Sequence, residues 1–341
     1  MRIATYNVEW MTALFGDDDA LLYDAGWSQR YDVTRAQQLD ALGLVFQAMD
    51  ADAVMVIEAP DTSKHRRTLP ALEAFARKYA LRTSEAVMGF PNDTQQEIAL
   101  LYDPAVLDAV HAPIGPPTGA AGRPDAPRFD GIFRIDLDID AQEDHVVFSK
   151  PPLELAVTTK AGGTFRMIGT HLKSKAPHGA RGRDEVMRQS IANRRKQLAQ
   201  AIWLRQRVSH HLTKAEPLIV LGDLNDGPGL DEYEHLFGRS SVEIILGDDP
   251  DARLYDPHAE MALRRPFSAA PTTARFFMRH KKRYMQALLD YIMVSPDLKA
   301  LGPEWRIWHP LDDPDCWNLP ELREALLTAS DHFPVTLDIE V

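Results

Sequence analysis

The sequence predicts a layered α/β or α+β fold, a sandwich in which helices cover the β-sheets. Short runs rich in β-branched residues alternate with longer amphipathic segments, and hairpin signals join some neighbouring runs. The 341 residues are 45% apolar and 26% charged, which suits a globular enzyme with one large core. We therefore expect a single domain over residues 1–341, with strand ends and loops converging on one site.

The first half of the chain opens with a strand, a helix and a second strand. Residues 3–8 and 53–57 are short apolar runs, which predict buried strands, and residues 34–49 show helical spacing behind Thr34 as the cap. Three further segments follow along the chain: a helix at 68–79, a strand at 97–102 and a Pro/Gly-rich loop at 112–127.

The second half continues the same alternation. Strands are predicted at 132–139 and 153–159, and the turn Ala161-Gly162-Gly163 leads into a hairpin partner at 164–169. The later elements are a helix at 184–208, a strand at 218–221, a short helix near 231–237, an irregular polar stretch at 240–286, and strands at 288–294 and 335–339.

Composition limits the cofactors and the location. One cysteine, Cys316, allows no internal disulfide and no cysteine metal cluster, which agrees with a reducing compartment. No run approaches the roughly 20 apolar residues of a membrane span, and the first residues enter a strand without the hydrophobic segment of a signal peptide. We expect a cytoplasmic protein, in which any metal ion is held by oxygen or imidazole ligands.

Acidic and amide side chains stand at predicted strand ends. Asp223 and Asn225 follow a buried strand two residues apart and point the same way, a geometry that suits a metal-bound water and a phosphate oxygen. The alternative is an Asx turn that only satisfies local backbone groups. Glu58 ends the second strand, where open α/β sheets place ligand groups, and Asn7 and Glu9 are expected to share one face of the first strand.

A carboxylate and two histidines complete the candidate set. Asp290 lies inside an apolar strand, where an unpaired carboxylate costs several kcal/mol, so a histidine partner is expected. His171 closes one strand and His332 opens the last, and imidazoles at such positions suit acid–base work near neutral pH. For any single histidine, an ordinary structural role is the alternative.

The polar motifs together resemble those of a known superfamily. Their order along the chain is similar to that in the endonuclease/exonuclease/phosphatase superfamily, which includes deoxyribonucleases, apurinic endonucleases, sphingomyelinases and inositol polyphosphate phosphatases. The motifs are Thr5-Tyr6-Asn7-Val8-Glu9, Ile57-Glu58, Thr170-His171-Leu172, Gly222-Asp223-Leu224-Asn225, Leu289-Asp290-Tyr291-Ile292 and Ser330-Asp331-His332.

The resemblance implies a four-layer sandwich of two central, mostly antiparallel sheets flanked by helices, which hydrolyses phosphoesters with Mg²⁺ or Mn²⁺. It implies that His332 activates water while Asp290 fixes its tautomer, and that His171 stabilises or protonates the departing oxygen. It implies that Asp223 and Asn225 orient the nucleophile and bind the scissile phosphate. The residues implied at the metal are Glu58, Asn7, Asp331 and Glu9.

Two basic runs bear on the substrate. Residues 173–196 and 275–283 are rich in Lys and Arg beside His171 and Asp290, and they suit either a phosphate-attracting rim or simply solvated surface. Lys173, Lys175 and the arginine-rich helix favour nucleic acid as the substrate, which makes a nuclease the leading prediction. The net charge of −12 favours the alternative, a phosphatase or phosphodiesterase for a small molecule, an inositol phosphate or a lipid headgroup. The oligomeric state stays open.

Overall fold

Two large β-sheets form the centre of the molecule. The computed structural model describes residues 1–136, 143–177, 179–228, 237–264, 270–278 and 282–341. The first sheet has the spatial order β14 (Glu304–Ile307), β15 (Val335–Asp338), β1 (Arg2–Asn7), β2 (Ala53–Ala59), β4 (Glu97–Tyr102) and β3 (Glu85–Met88). Within this sheet β1 and β2 pair in parallel and the other pairs are antiparallel.

The second sheet has the same mixed character. Its spatial order is β13 (Asp290–Val294), β10 (Leu218–Asp223), β9 (Thr164–His171), β8 (Leu153–Thr159) and β5 (Leu107–His111), with a parallel β9–β10 pair between antiparallel ones. Two small antiparallel pairs join β6 (Phe133–Ile135) to β7 (Asp144–Val146) and β11 (Ala274–Met278) to β12 (Arg283–Ala287).

Helices cover the outer faces of both sheets. In the described parts of the chain they are α1 (Arg35–Met49), α2 (Thr68–Lys78), α3 (Arg183–Thr213), α4 (Ser241–Leu246), α5 (Pro257–Arg264), α6 (Pro296–Lys299), α7 (Pro314–Asn318) and α8 (Pro320–Ala329). Helix α1 begins with a capping box, in which the Thr34 side chain accepts the Gln37 N–H and the Gln37 side chain accepts the Thr34 N–H.

The alternation of side chains along the strands creates the layers. Along β2, Met55 and Ile57 enter the core between the two sheets, whereas Val54 and Val56 enter the core beneath α1, α2 and α8. The other face of the second sheet packs on α3, around Trp203. The sheets approach closely where Gly169 faces Met55, because a Cβ at Gly169 would lie 2.3 Å from the Met55 sulfur. The order of layers is helix, sheet, sheet, helix.

The predicted fold class is confirmed, and so are most predicted elements. The predicted strands at 53–57, 97–102, 153–159, 164–169 and 218–221 and the helices at 34–49, 68–79 and 184–208 appear within a few residues, except that α3 extends to Thr213. Strand β13 begins at Asp290, two residues after its predicted start. No described helix is long and apolar enough to cross a membrane.

The prediction for residues 240–286 is wrong. Where an irregular stretch was expected, the structure has α4, α5, β11 and β12. The predicted short helix near 231–237 falls almost wholly outside the described residues, as does the last part of the predicted strand 132–139. The four elements within residues 240–286 have only five to eight residues each, so their apolar residues give no long periodic pattern.

Candidate active site

The carboxyl ends of four strands meet at one edge of the two sheets. The parallel pairs β1–β2 and β9–β10 all end there, and they open onto a cavity of about 980 Å³. Across the second sheet Asp223 is in register with both His171 and Asp290. Asn7, Glu58, Asp331 and His332 also line this cavity, so residues from widely separated parts of the chain converge on one place.

A strained backbone directs Glu58 into the cavity. The β2–β4 register shifts between Ile57 and Ala59, and Glu58 takes a left-handed conformation with φ 65°. Its Oε2 accepts the Trp10 backbone N–H at 2.9 Å. The Asn7 amide nitrogen lies 3.5 Å from Glu58 Oε1 and 3.1 Å from Asp223 Oδ2, so one amide joins the two carboxylates.

The expectation that Glu9 shares a face of the first strand with Asn7 is wrong. Strand β1 ends at Asn7, and Glu9 follows in a left-handed conformation with φ 48°. The Glu9 carboxylate forms an ion pair with Arg30 and accepts the Asp331 backbone N–H at 2.9 Å. Glu9 therefore lines the cavity with a carboxylate that already has a cationic partner.

His332 has a buried carboxylate partner. Its Nδ1 lies 2.8 Å from Asp290 Oδ2, and both side chains are almost completely buried. The Phe276 ring packs edge-on against the imidazole. Burial lowers the pKa of His332, but Asp290 and Asp223 more than offset this and raise the pKa well above its ordinary value. The Nε2 atom faces Asp223 Oδ2 at 3.9 Å.

Asp223 forms the Asx turn and also faces the cavity. Its Oδ1 accepts the Asn225 backbone N–H at 2.7 Å, while the Asn225 amide donates to Oδ2 at 3.1 Å. A glycine precedes it because a Cβ at Gly222, whose φ is 135°, would lie 2.0 Å from the Thr170 carbonyl oxygen. Burial raises the pKa of Asp223 to about 7. The Asx turn is therefore present, and Asp223 and Asn225 also line the cavity.

His171 lies on the other side of Asp223. Its Nε2 is 3.5 Å from Asp223 Oδ2, 4.0 Å from Glu58 Oε1 and 3.2 Å from Lys150 Nζ. Burial, with Lys150 and His332 as positive neighbours, lowers the pKa of His171 well below its ordinary value. The neutral imidazole is therefore favoured at neutral pH.

The sequence reasoning missed Lys150. This residue lies just before β8, lines the cavity, and has its ammonium group directed at His171. Burial lowers the pKa of Lys150 below its ordinary value, and the carboxylates of Glu58 and Asp223 offset this only in part. The local signal was the polar pair Ser149-Lys150 before Pro151-Pro152 and the apolar strand β8, the same pattern of a polar group beside a strand end.

The two lysines predicted to bind phosphate differ in their surroundings. Lys175 forms an ion pair with the buried Asp226, which also binds Arg194. Lys173 lines the cavity, is half-buried, and has no ion-pair partner among the residues that the structure describes. Lys173 is thus the better placed of the two to meet an anion.

The donor set suits a divalent cation. Glu58, Asp223 and Asp331 supply carboxylate oxygens and Asn7 an amide, the ligand types that Mg²⁺ and Mn²⁺ prefer. Burial, followed by the charge of Glu9, raises the pKa of Asp331 to about 8, so anionic carboxylates here lack sufficient positive charge nearby. A bound cation would supply that charge.

A second set of possible ligand atoms lies in the same cavity. Single ligand atoms of Asp223, Asp290 and His332 lie within 4.8 Å of one another. However, His332 Nδ1 is already occupied by Asp290, so only the Nε2 side of that ring is available. We therefore favour the set around Glu58 as the metal site.

The protein is thus a four-layer α/β sandwich that carries acidic, amide and imidazole groups in a cavity at one edge of its two central sheets. Residues 4–332 match the model of the endonuclease/exonuclease/phosphatase family, so the chain belongs to this family. Members of the family are phosphoester hydrolases that depend on divalent metal ions. The resemblance seen in the sequence is confirmed.

Solved structures share the fold at low identity. TDP2 from Caenorhabditis elegans is 13% identical with a TM-score of 0.51, over 100% of this chain and 74% of that one. D. rerio TDP2, solved with a single-strand DNA product, is 12% identical with a TM-score of 0.51, and the match covers 100% of this chain and 99% of that one. An endonuclease/exonuclease/phosphatase family protein from Bacteroides thetaiotaomicron is 15% identical with a TM-score of 0.51, and the match covers 100% of this chain and 98% of that one. No curated protein matches the sequence.

Proposed function

We propose that the protein is a nuclease that hydrolyses phosphodiester bonds by in-line attack of an activated water. The proposal depends above all on the buried Asp290–His332 pair, whose free Nε2 atom faces Asp223 in the cavity. Asp290 fixes the ring, and His332 in its neutral form acts as the general base for the attacking water. A divalent cation bound beside Asp223 and Asp331 would offset the carboxylate charges that raise the pKa of His332. Family membership supports the broader class, a metal-dependent phosphoester hydrolase.

Glu58 is proposed as the main metal carboxylate, with Asn7 beside it and Asp331 close by; Glu9 is proposed as a further ligand or as the group that holds Asp331. When bound, Mg²⁺ or Mn²⁺ would act as a Lewis acid on a phosphate oxygen. The observation in favour of this set is that oxygen ligands from Glu58, Asn7, Asp331 and Glu9 line one cavity, with the Asn7 amide nitrogen 3.5 Å from Glu58 Oε1.

Asp223 and Asn225 are proposed to orient the water and to bind the scissile phosphate. The Asn225 amide is held by Asp223 and by the Leu172 carbonyl, so its position in the cavity is fixed. His171 is proposed to contact the side of the phosphate where the oxygen departs. Its Nε2 lies 3.2 Å from the Lys150 ammonium group, so the neutral ring acts there by accepting a hydrogen bond from Lys150.

Nucleic acid is the proposed substrate because the cavity continues into a basic surface. Val186 and Ser190, one turn apart on α3, line the cavity, and the exposed Arg183 lies one turn before Val186 on the same side of the helix. Together with Lys173, Arg183 would supply positive charge to backbone phosphates that flank the cleaved bond. Lys175 contributes less than the sequence predicted, since Asp226 neutralises it.

The alternative substrate is a small molecule, an inositol phosphate or a lipid headgroup. The net charge of −12 favours it, because a protein that binds long nucleic acids usually has a broad basic footprint. A cytoplasmic location, expected from the single cysteine, would suit either substrate and is tested by fractionating the cells that make the protein.

A substrate panel distinguishes these functions. Single- and double-stranded DNA, RNA, nucleotides, inositol phosphates and a sphingomyelin analogue are each incubated with Mg²⁺, with Mn²⁺ and with EDTA. We expect metal-dependent cleavage of nucleic acid, with binding that weakens steeply as salt rises. Turnover confined to small phosphoesters, with salt-insensitive binding, would establish the alternative.

A further inference from the structure

Lys150 lines the cavity but belongs to none of the six motifs that mark the candidate site. Its Nζ lies 3.2 Å from His171 Nε2, close to the carboxylates of Glu58 and Asp223. A lysine seldom leaves water without a partner that repays the loss of hydration. Here the contact is with an imidazole that is itself buried, so the position suits a group that also meets an anionic ligand.

The order of strands places Lys150 opposite the general base. In the second sheet the strands run β13, β10, β9, β8, so Asp290, Asp223, His171 and Lys150 follow one another along the sheet edge. His332 is attached to the Asp290 end of this row. Lys150 therefore lies beyond His171, on the far side of Asp223 from His332.

The separations leave room for an in-line displacement. Asp223 Oδ2 lies 3.9 Å from His332 Nε2 on one side and 3.5 Å from His171 Nε2 on the other. His171 Nε2 in turn lies 3.2 Å from Lys150 Nζ. The base and the ammonium group are thus at most about 11 Å apart. In an in-line displacement the base, the attacking water, phosphorus, the leaving oxygen and the cation lie in one row. The base nitrogen and the cation are then roughly 9 Å apart, because the row contains two hydrogen bonds of about 2.8 Å and an extended O–P–O distance of about 3.5 Å.

We propose that Lys150 is a catalytic residue whose ammonium group donates a hydrogen bond to the oxygen that leaves phosphorus. This inference rests on the proposed function. The water oxygen forms a bond to phosphorus while its proton passes to His332, and the bond from phosphorus to the leaving oxygen breaks with its electron pair. Lys150 stabilises the negative charge on that oxygen, which then takes a proton from solvent.

Charge and burial favour Lys150 over His171 for this role. The Lys150 ammonium group lines the cavity, lies 3.2 Å from His171 Nε2 and has the carboxylates of Glu58 and Asp223 nearby, so it is the side chain at this end of the row that can carry a full positive charge to a departing oxygen. A cation at a developing oxyanion in a partly desolvated site is one of the larger contributions to catalysis. His171 then positions the ammonium group through its Nε2 atom.

The test compares leaving groups of different basicity. Dithymidine phosphate releases a strongly basic alkoxide, whereas bis(p-nitrophenyl) phosphate releases a stabilised phenolate that needs little help. We expect Lys150→Met to lower kcat on dithymidine phosphate by roughly 10² to 10³, the effect of losing one oxyanion donor, and on the nitrophenyl diester by less than about tenfold. Lys150→Arg should recover part of the loss on the alkoxide substrate, because it keeps the charge.

Controls separate this inference from the proposed function. His332→Ala should slow both substrates alike, since each needs the base, and the exposed Lys214→Met should change neither. Equal losses of kcat for Lys150→Met on the two substrates would show a role that does not depend on the leaving group, and an effect on KM alone would show ground-state binding; either result would overturn the leaving-group role. If the wild-type enzyme is inactive on both diesters, the proposed function and this inference are both overturned. If the wild type is active and the two Lys150 variants are equally active, the inference alone is overturned.

Discussion

The orientation of one imidazole depends on one carboxylate. Asp290 holds His332 at 2.8 Å, and the Asp290 backbone is itself held because Thr273 Oγ1 accepts the N–H groups of Leu289 and Asp290 at 2.9 and 3.0 Å. The ring therefore has one direction and one tautomer in which Nε2 can accept a proton. Without the carboxylate, the imidazolium formed during the reaction would lose its counter-charge.

Replacement of Asp290 by Asn should therefore lower turnover while the protein stays folded. We expect kcat on bis(p-nitrophenyl) phosphate with Mg²⁺ to fall by roughly 10² to 10⁴, the range for an acid–base residue in the wrong state. Asp108→Asn on the exposed edge strand β5 is the matched control and should keep full activity. An Asp290→Asn enzyme within about threefold of the wild type would reject the pairing as functional.

Single residues show what sequence alone can predict about the site. Asn7, Glu58, Asp223 and His332 were singled out because a polar group at the end of an apolar strand is visible in a linear pattern. The pairing of Lys175 with Asp226 was not visible, because it depends on segments that meet only in the folded protein. The same is true of Glu9, whose partner Arg30 lies in the long connection after β1.

At the scale of elements, Asp226 links the loop after β10 to two helices. Its carboxylate is fully buried and accepts from Lys175, from Arg194 on α3 at 3.3 Å, and from the Ser241 backbone and hydroxyl at the start of α4 at 2.7 and 2.6 Å. The Asp226 carbonyl also accepts the Tyr291 hydroxyl. This network fixes the loop that carries Asn225.

Removal of this carboxylate should destabilise the fold strongly, because two cations and the start of α4 each lose one buried partner. We expect Asp226→Ala to lower the free energy of unfolding by about 3 to 5 kcal/mol, measured by denaturant titration with EDTA present. The exposed Asp248→Ala, which breaks a surface pair with Arg239, should cost less than about 1 kcal/mol. Adding Lys175→Met to Asp226→Ala should recover part of the stability; no recovery would contradict the account of this network.

Elements differ in how well the sequence predicts them. Strands β2 and β10 are nearly continuous apolar runs and β8 alternates, patterns that predict strands, whereas β11 and β12 leave Phe277 and Tyr284 exposed and show no clear alternation. Helix α4 has only six residues, and its usable signal was the capping box of Ser240 and Glu243. Tertiary contacts with Asp226 and α3 supply the rest of its stability.

At the scale of the whole molecule, the cavity concentrates negative charge in a chain whose net charge is already −12. Burial raises the pKa values of Asp223 to about 7 and of Asp331 to about 8, and it raises that of Glu97, beside the cavity, to about 7. Each of these groups binds its proton more tightly in the folded protein than in the unfolded chain. Folding stability from them is therefore present at low pH and lost as pH rises through these values.

The metal-free protein should consequently lose stability between about pH 6.5 and about pH 8.5. His171 and His258, whose pKa values are lowered, oppose this trend only at the lower end of the window, where unfolded imidazoles lose their last protons, whereas His332, whose pKa is raised, reinforces it. We expect Tm in EDTA to fall across the window and Mg²⁺ to raise Tm more at the upper end, where carboxylates are ionised. A Tm that rises with pH in EDTA would contradict the charge balance described here.

The central claim is that the carboxylates at the sheet edge hold a divalent ion needed to break a phosphodiester bond. Its most direct test is turnover of bis(p-nitrophenyl) phosphate over a titration of Mn²⁺, for the wild type, for Glu58→Gln and for the exposed control Glu304→Gln. We predict saturable metal-dependent turnover for the wild type and the control, and at least about tenfold weaker metal dependence or activity for Glu58→Gln. Turnover that persists unchanged in EDTA, or a Glu58→Gln titration that matches the wild type, would contradict the claim.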